Sequence, residues 1–116
     1  MRKRNWVLAY LLSGIFALNA NDAVELEKIF ANARPADLPE LASNFSARGS
    51  LLHSRGQYKE AVEFYQKSLK IRRELGLENS RSYALVLFLN SVAEHRLGNS
   101  CKASSQVKDV IRIYQY

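Results

Sequence analysis

Apolar residues recur along most of the chain at the three- and four-residue spacing that is typical of amphipathic helices. Proline or glycine interrupts this pattern at intervals, as expected where one helix ends and the next begins. Little of the chain shows the two-residue alternation of β-strands. The sequence therefore predicts an all-α protein of about five helices, at residues 22–34, 38–54, 58–75, 82–97 and 101–116.

The start of the chain differs from the rest because it contains an unbroken apolar run with no polar face. Three basic residues precede this run, and residues 6–18 would form a helix roughly 20 Å long. That length is short of the roughly 30 Å hydrocarbon core of a bilayer but suits a secretory signal peptide. We therefore expect cleavage after Ala20 and export to the periplasm or the medium. Two alternatives stay open: a buried N-terminal helix, and an uncleaved anchor that holds residues 6–18 in the inner membrane.

The composition is that of an ordinary globular protein, since 47% of the 116 residues are hydrophobic and 24% are charged. The single cysteine, Cys101, excludes an intramolecular disulfide framework. The formal charge of +6 suggests an anionic partner, but loss of residues 1–20 removes three basic residues and leaves +3. The remaining basic residues alternate with acidic ones on the predicted helices. Nucleic acid is therefore not expected as a partner.

The chain resembles itself at an offset of 42 positions, which indicates two copies of one helix-turn-helix unit. The identical pairs are Ala42 and Ala84, His53 and His95, Gly56 and Gly98, Ala61 and Ala103, and Ile71 and Ile113. The sequence thus predicts a signal segment, an N-terminal helix with a linker, a first repeat with an extended loop, and a second repeat, at residues 1–20, 21–41, 42–83 and 84–116.

The first copy resembles the tetratricopeptide repeat, in which paired helices stack into a solenoid. The resemblance rests on the run Gly56-Gln-Tyr-Lys-Glu-Ala61 and on the large, small and aromatic residues around it. The 42-residue spacing and residues 71–80 are similar to the longer repeats of kinesin light chains. The resemblance implies a short solenoid with these repeat-defining residues: Gly49, Gly56, Tyr58, Ala61, Tyr65, Gly98 and Ala103.

The second copy departs from the family pattern at three positions. Ser91, Glu94 and Val107 stand where the first copy has Gly49, Leu52 and Tyr65. We therefore expect the second unit to be the less regular of the two.

The resemblance also implies a binding groove, because the first helix of each repeat in this family lines a concave surface that receives a segment of another protein. The corresponding positions here are Ser46, Ser50, His53, Leu85, Phe88, Val92, His95 and Arg96. Serine at positions 46 and 50 removes the clamp with which some members bind a C-terminal carboxylate. A partner segment with apolar side chains and an acidic group is expected instead. As an alternative, Leu85 and Phe88 are buried against the long inter-repeat loop.

The sequence contains none of the common enzyme or cofactor signatures. His53 and His95 could form a metal pair or a pH-sensitive contact, but no third ligand is evident, and two partly exposed polar residues are the simpler interpretation. We therefore expect no catalysis, no cofactor and no metal.

The last predicted helix has no following element to cover its apolar residues, which are Ile111, Ile113, Tyr114 and Tyr116. Homo-oligomerisation through this helix is therefore a hypothesis. The sequence as a whole predicts an exported module that binds a peptide or helix of another protein. The alternative is a membrane-anchored structural subunit of a cell-envelope assembly, and membrane contact is expected only if the N-terminal segment is retained.

Overall fold

A computed structural model describes residues 28–29 and 31–115, and the chain divides into two compact units, residues 1–41 and 42–116. The predicted signal segment and most of the predicted helix 22–34 lie outside the described residues. In the first unit, Pro35–Asp37 form a 3-10 turn, and Arg34 and Asp37 form an ion pair with an N–O distance of 3.1 Å.

Four long helices make up most of the described chain. They are α1 (Leu38–Ser54), α2 (Tyr58–Glu74), α3 (Arg81–Arg96) and α4 (Ser100–Tyr114). No strand occurs within the described ranges. The all-α prediction is confirmed, and the predicted bounds of these four helices agree with the structure to within two residues.

The two short turns, between α1 and α2 and between α3 and α4, have the same construction. Gly56 and Gly98 adopt the left-handed conformation, with φ of 77° and 87°. A side chain is strained there, so glycine is the natural residue to end the helix. In both turns the glycine N–H donates to the backbone carbonyl oxygen of the histidine three positions earlier, at 3.0 Å in each case. The longer loop between α2 and α3 ends at Ser80, whose Oγ accepts from the N–H of Tyr83 at 3.1 Å and caps α3.

Close packing of α1 against α2 depends on the absence of a side chain at Gly49. A Cβ atom there would lie 2.7 Å from the ring of Tyr65 and 3.2 Å from the carbonyl oxygen of Ala61. Tyr65 is fully buried, so its ring cannot move away at low cost. At the equivalent positions of the second repeat, Ser91 and Val107 give a larger residue on the first helix and a smaller one on the second.

The core of the second unit lies between the helices and combines residues from both repeats. Phe45 and Phe64 lie with their ring centroids 6.0 Å apart, and Tyr65, Leu69 and Ile71 are almost fully buried. The other buried apolar residues of this unit are Ala42, Leu52, Ala61, Tyr83, Ala84, Val86, Leu87, Ala93, Ala103, Val110 and Ile113.

The expectation that Ile113 is uncovered is wrong. Ile113 follows Val110 by three residues and Ala103 by ten, so all three lie on the inner face of α4 and are buried. Ile111 and Tyr114 of the same helix are exposed, as expected.

Candidate functional site

Helix α3 exposes large apolar side chains to solvent in addition to those that it buries against its neighbours. Leu85 and Phe88 are 54% and 46% exposed, and Leu89 and Val92 beside them are half-buried. The alternative that Leu85 and Phe88 are buried against the inter-repeat loop is therefore wrong. We call Leu85, Phe88, Leu89 and Val92 the apolar stripe. The resemblance implied Leu85, Phe88 and Val92 as groove positions, and Leu89 was missed although it follows Leu85 by one helical turn.

Both ends of the apolar stripe carry exposed basic residues. Arg81 lies at the N-terminal end, and His95 and Arg96 lie at the C-terminal end. The single acidic residue of α3, Glu94, is buried, with its carboxylate accepting from Asn99 Nδ2 at 3.0 Å and 3.8 Å from the Lys102 ammonium. The exposed face of α3 is therefore positively charged at both ends and has no acidic group between them.

Each arginine at the ends of the stripe lies over a tyrosine ring. The Arg96 guanidinium is 6.0 Å from the centroid of Tyr58, and that of Arg81 is 6.0 Å from the centroid of Tyr114. Such contacts contribute about 0.5–1 kcal/mol at exposed sites. They also limit the positions that the two guanidinium groups adopt while leaving their N–H groups able to donate.

The groove positions on α1 are small and polar. Ser46 Oγ donates to the carbonyl of Ser43 at 2.9 Å, and Ser50 Oγ accepts from the Tyr65 hydroxyl at 3.3 Å. His53 Nδ1 lies 3.4 Å from the same hydroxyl. Burial raises the pKa of Tyr65, and the hydrogen bond to Ser50 lowers it by a smaller amount. Tyr65 is therefore a neutral phenol, and hence a donor, at neutral pH.

The groove positions on α1 and the C-terminal end of α3 come together at Tyr58. The His53 ring lies edge-on to Tyr58 with centroids 5.2 Å apart, and Arg96 approaches Tyr58 as described above. His95 instead lies close to α4, where its Nδ1 is 3.4 Å from Ser100 Oγ. The structure thus brings His53 and Arg96 to one tyrosine but gives the two histidines different neighbours. Within the described ranges, no cluster of three His, Cys, Asp or Glu side chains could hold a metal ion.

Other exposed surfaces of the second unit have a different character. The exposed residues of α2 include both charges in alternation, namely Lys59, Glu60, Glu63, Lys70, Arg73 and Glu74. Such mixed faces are typical of solvated helix surfaces. On α4, the positions equivalent to Tyr58 and Val62 are Ser100 and Ser104, so the first half of its outer face is polar. Among the helices of the described chain, none is long and apolar enough to cross a bilayer.

A family model described as Tetratricopeptide repeat matches residues 40–115. The chain belongs to the tetratricopeptide repeat family. A comparison with curated proteins finds no match. Tetratricopeptide repeats are in general non-catalytic protein–protein interaction modules, so the family membership supports a role in binding another protein. The similarity to the kinesin-light-chain type stays a prediction.

Proposed function

We propose that this tetratricopeptide repeat protein binds a segment of a partner protein on the surface formed by α3 and the second half of α1. The apolar stripe is the observation that supports this proposal most directly. Exposed apolar side chains that adjoin one another and are bordered by polar groups are typical of protein interfaces.

The expected mechanism is docking on a preformed surface, with no covalent chemistry. Phe88 would be the central anchor, because aromatic side chains contribute a large share of interface energy. Arg96 would bind an acidic side chain of the partner, since its guanidinium can donate two parallel hydrogen bonds to a carboxylate. The serines of α1 would allow the partner to approach closely without adding much binding energy.

Export is the second element of the proposal, and it rests on the sequence of residues 1–20 alone. The basic residues Arg2, Lys3 and Arg4 followed by the apolar run support a signal peptide. Mass spectrometry of the protein isolated from the cell that makes it should give Asn21 as the first residue. An N-terminus at Met1 or Arg2 would favour the membrane-anchored alternative instead.

In-cell photocrosslinking tests the binding surface. A photoreactive amino acid at position 85 or 92 of the full chain should crosslink one partner, and the same amino acid at Lys59 on α2 serves as a matched control. The double variant Phe88→Asp with Arg96→Glu should abolish the crosslink from position 85 while leaving the far-UV circular dichroism unchanged.

Either of two results would contradict the proposed surface. The first is the same crosslinked partner from positions 59 and 85, which would mean that contact is non-specific. The second is an undiminished crosslink in the double variant that retains its helical content.

A further inference from the structure

The apolar stripe lacks groups that could hydrogen-bond the backbone of an extended peptide. Leu85, Phe88, Leu89 and Val92 have only carbon atoms in their side chains, and the backbone groups of α3 are used within the helix. An extended segment lying on this stripe would lose water from its own N–H and C=O groups without replacing those hydrogen bonds, which is costly. A helix satisfies its backbone internally and avoids this cost.

The basic residues at the two ends of the stripe restrict the charge of the occupant. Arg81 and Arg96 are 15 residues apart, or roughly 22 Å along the helix axis. Neither α3 nor α1 from Ala42 onward exposes an acidic side chain. An occupant with acidic residues near both of its ends and an apolar face between them would match this pattern.

The same charges argue against a second copy of this chain as the occupant. In a symmetric antiparallel pair of α3 helices, Arg81 of one copy would lie beside Arg96 of the other, and in a parallel pair each arginine would lie beside its own equivalent. With no exposed acidic residue on the face, both arrangements bring like charges together, which is unfavourable.

We propose that the exposed face of α3 binds an amphipathic helix of about four turns from another protein, with an apolar stripe and acidic residues near both ends. This inference rests on the proposed function and makes it more specific. The contact would be helix against helix, with apolar residues of the partner at three- and four-residue spacing packed on Leu85, Phe88 and Val92.

A peptide selection tests this proposal without knowledge of the natural partner. A displayed library of random peptides about 18 residues long would be selected against the full chain and counter-selected against Phe88→Asp. We expect enrichment of sequences with helical apolar spacing and with Asp or Glu near both ends. A synthetic peptide with an enriched sequence should gain helical circular dichroism when it binds the chain. The substitution Phe88→Asp in the chain should weaken the binding of this peptide at least about tenfold.

Charge exchange provides the matched control. Arg96→Glu should weaken an enriched peptide at least about tenfold, and exchange of the facing acidic residues of the peptide for lysine should restore the affinity. Lys70→Glu, on the mixed-charge face of α2, makes the same change of charge and should leave the affinity unchanged.

Several outcomes would overturn the helix proposal. Enriched peptides that bind without gaining helicity, or that lack acidic residues, would contradict it. Binding of the chain to phosphatidylglycerol vesicles would also contradict it if Phe88→Asp abolished that binding. A concentration-dependent dimer that Phe88→Asp abolished would contradict it in the same way. Peptides recovered before the counter-selection that depend on Ser46 or Ser50 instead of Phe88 would leave the groove function intact and refute only the helix. If no peptide survives counter-selection, the helix proposal fails, and the crosslinking experiment decides the groove function separately.

Discussion

Leu69 and Ile111 occupy the same position in the two repeats but differ in what covers them. Leu69 is 1% exposed, whereas Ile111 is 52% exposed. Leu69→Ala should cost about 3 kcal/mol of unfolding free energy, because it removes a buried side chain and leaves a cavity in a close-packed core. Ile111→Ala removes a side chain of which only about half is buried, so the lost burial costs about 1 kcal/mol of unfolding free energy. The better helix propensity of alanine returns about 0.4 kcal/mol. The expected net cost is therefore about 0.6 kcal/mol.

Urea unfolding of the full chain, followed by far-UV circular dichroism, measures the free energy of unfolding of both variants, and thermal unfolding followed in the same way measures their melting temperatures. Leu69→Ala should lower the melting temperature by roughly 12–24 °C and Ile111→Ala by only a few degrees. The reasoning would be refuted if the two variants lost equal stability, because Ile111 would then be covered in solution. Repeating the titration over a wide range of protein concentration distinguishes the causes. A loss at Ile111 that grows with concentration would support the hypothesis of homo-oligomerisation through the last helix.

Two further predictions concern Tyr65 and its neighbours. Gly49→Ala should lower the unfolding free energy by about 1–2 kcal/mol despite the better helix propensity of alanine, because its Cβ would clash with the Tyr65 ring; the cost should largely disappear in a Tyr65→Val background, and an equal cost there would contradict the clash. Burial raises the pKa of Tyr65 above its usual 10.0, so the stability it contributes is present below about pH 10 and is lost as the pH rises through the folded-state pKa. Wild type should therefore lose more stability than Tyr65→Phe in urea titrations above pH 10, and parallel losses would contradict this assignment.

The sequence predicted the helices and turns of the second unit because local rules decide them. Gly56 and Gly98 end helices at left-handed positions, and Gly49 with Ala61 and Tyr65, which the resemblance implied as repeat-defining, marks a close helix contact. These features depend on backbone conformation and on volume at single positions, so the residue type alone is informative.

The departure at Glu94 could not be interpreted from its position alone, because its partners come from the turn and the helix that follow α3. Glu94 replaces an apolar residue in the core and is stabilised by Asn99 and Lys102 from the following turn and helix. Ser91 is larger than glycine, and its hydroxyl donates to the carbonyl of Phe88 at 2.6 Å. The exposure of Ile111 against the burial of Ile113 likewise depends on which side of α4 faces α3, and both residues look alike in the sequence.

The comparison of the two repeats separates the residues that build the fold from those that give the surface its specificity. Four of the five pairs that are identical at the 42-residue offset lie at buried contacts or at a turn that both repeats need. The outward positions of the first helices differ completely, since Ser43, Ser46, Ser50 and Ser54 correspond to Leu85, Phe88, Val92 and Arg96. Packing does not constrain these outward positions, so the change from four serines to three apolar residues and an arginine has no structural cause within the described unit. Exposed apolar side chains make a protein prone to aggregation and add little to its stability. A binding role for α3 accounts for this asymmetry, and it concentrates the expected recognition on one helix of the second repeat.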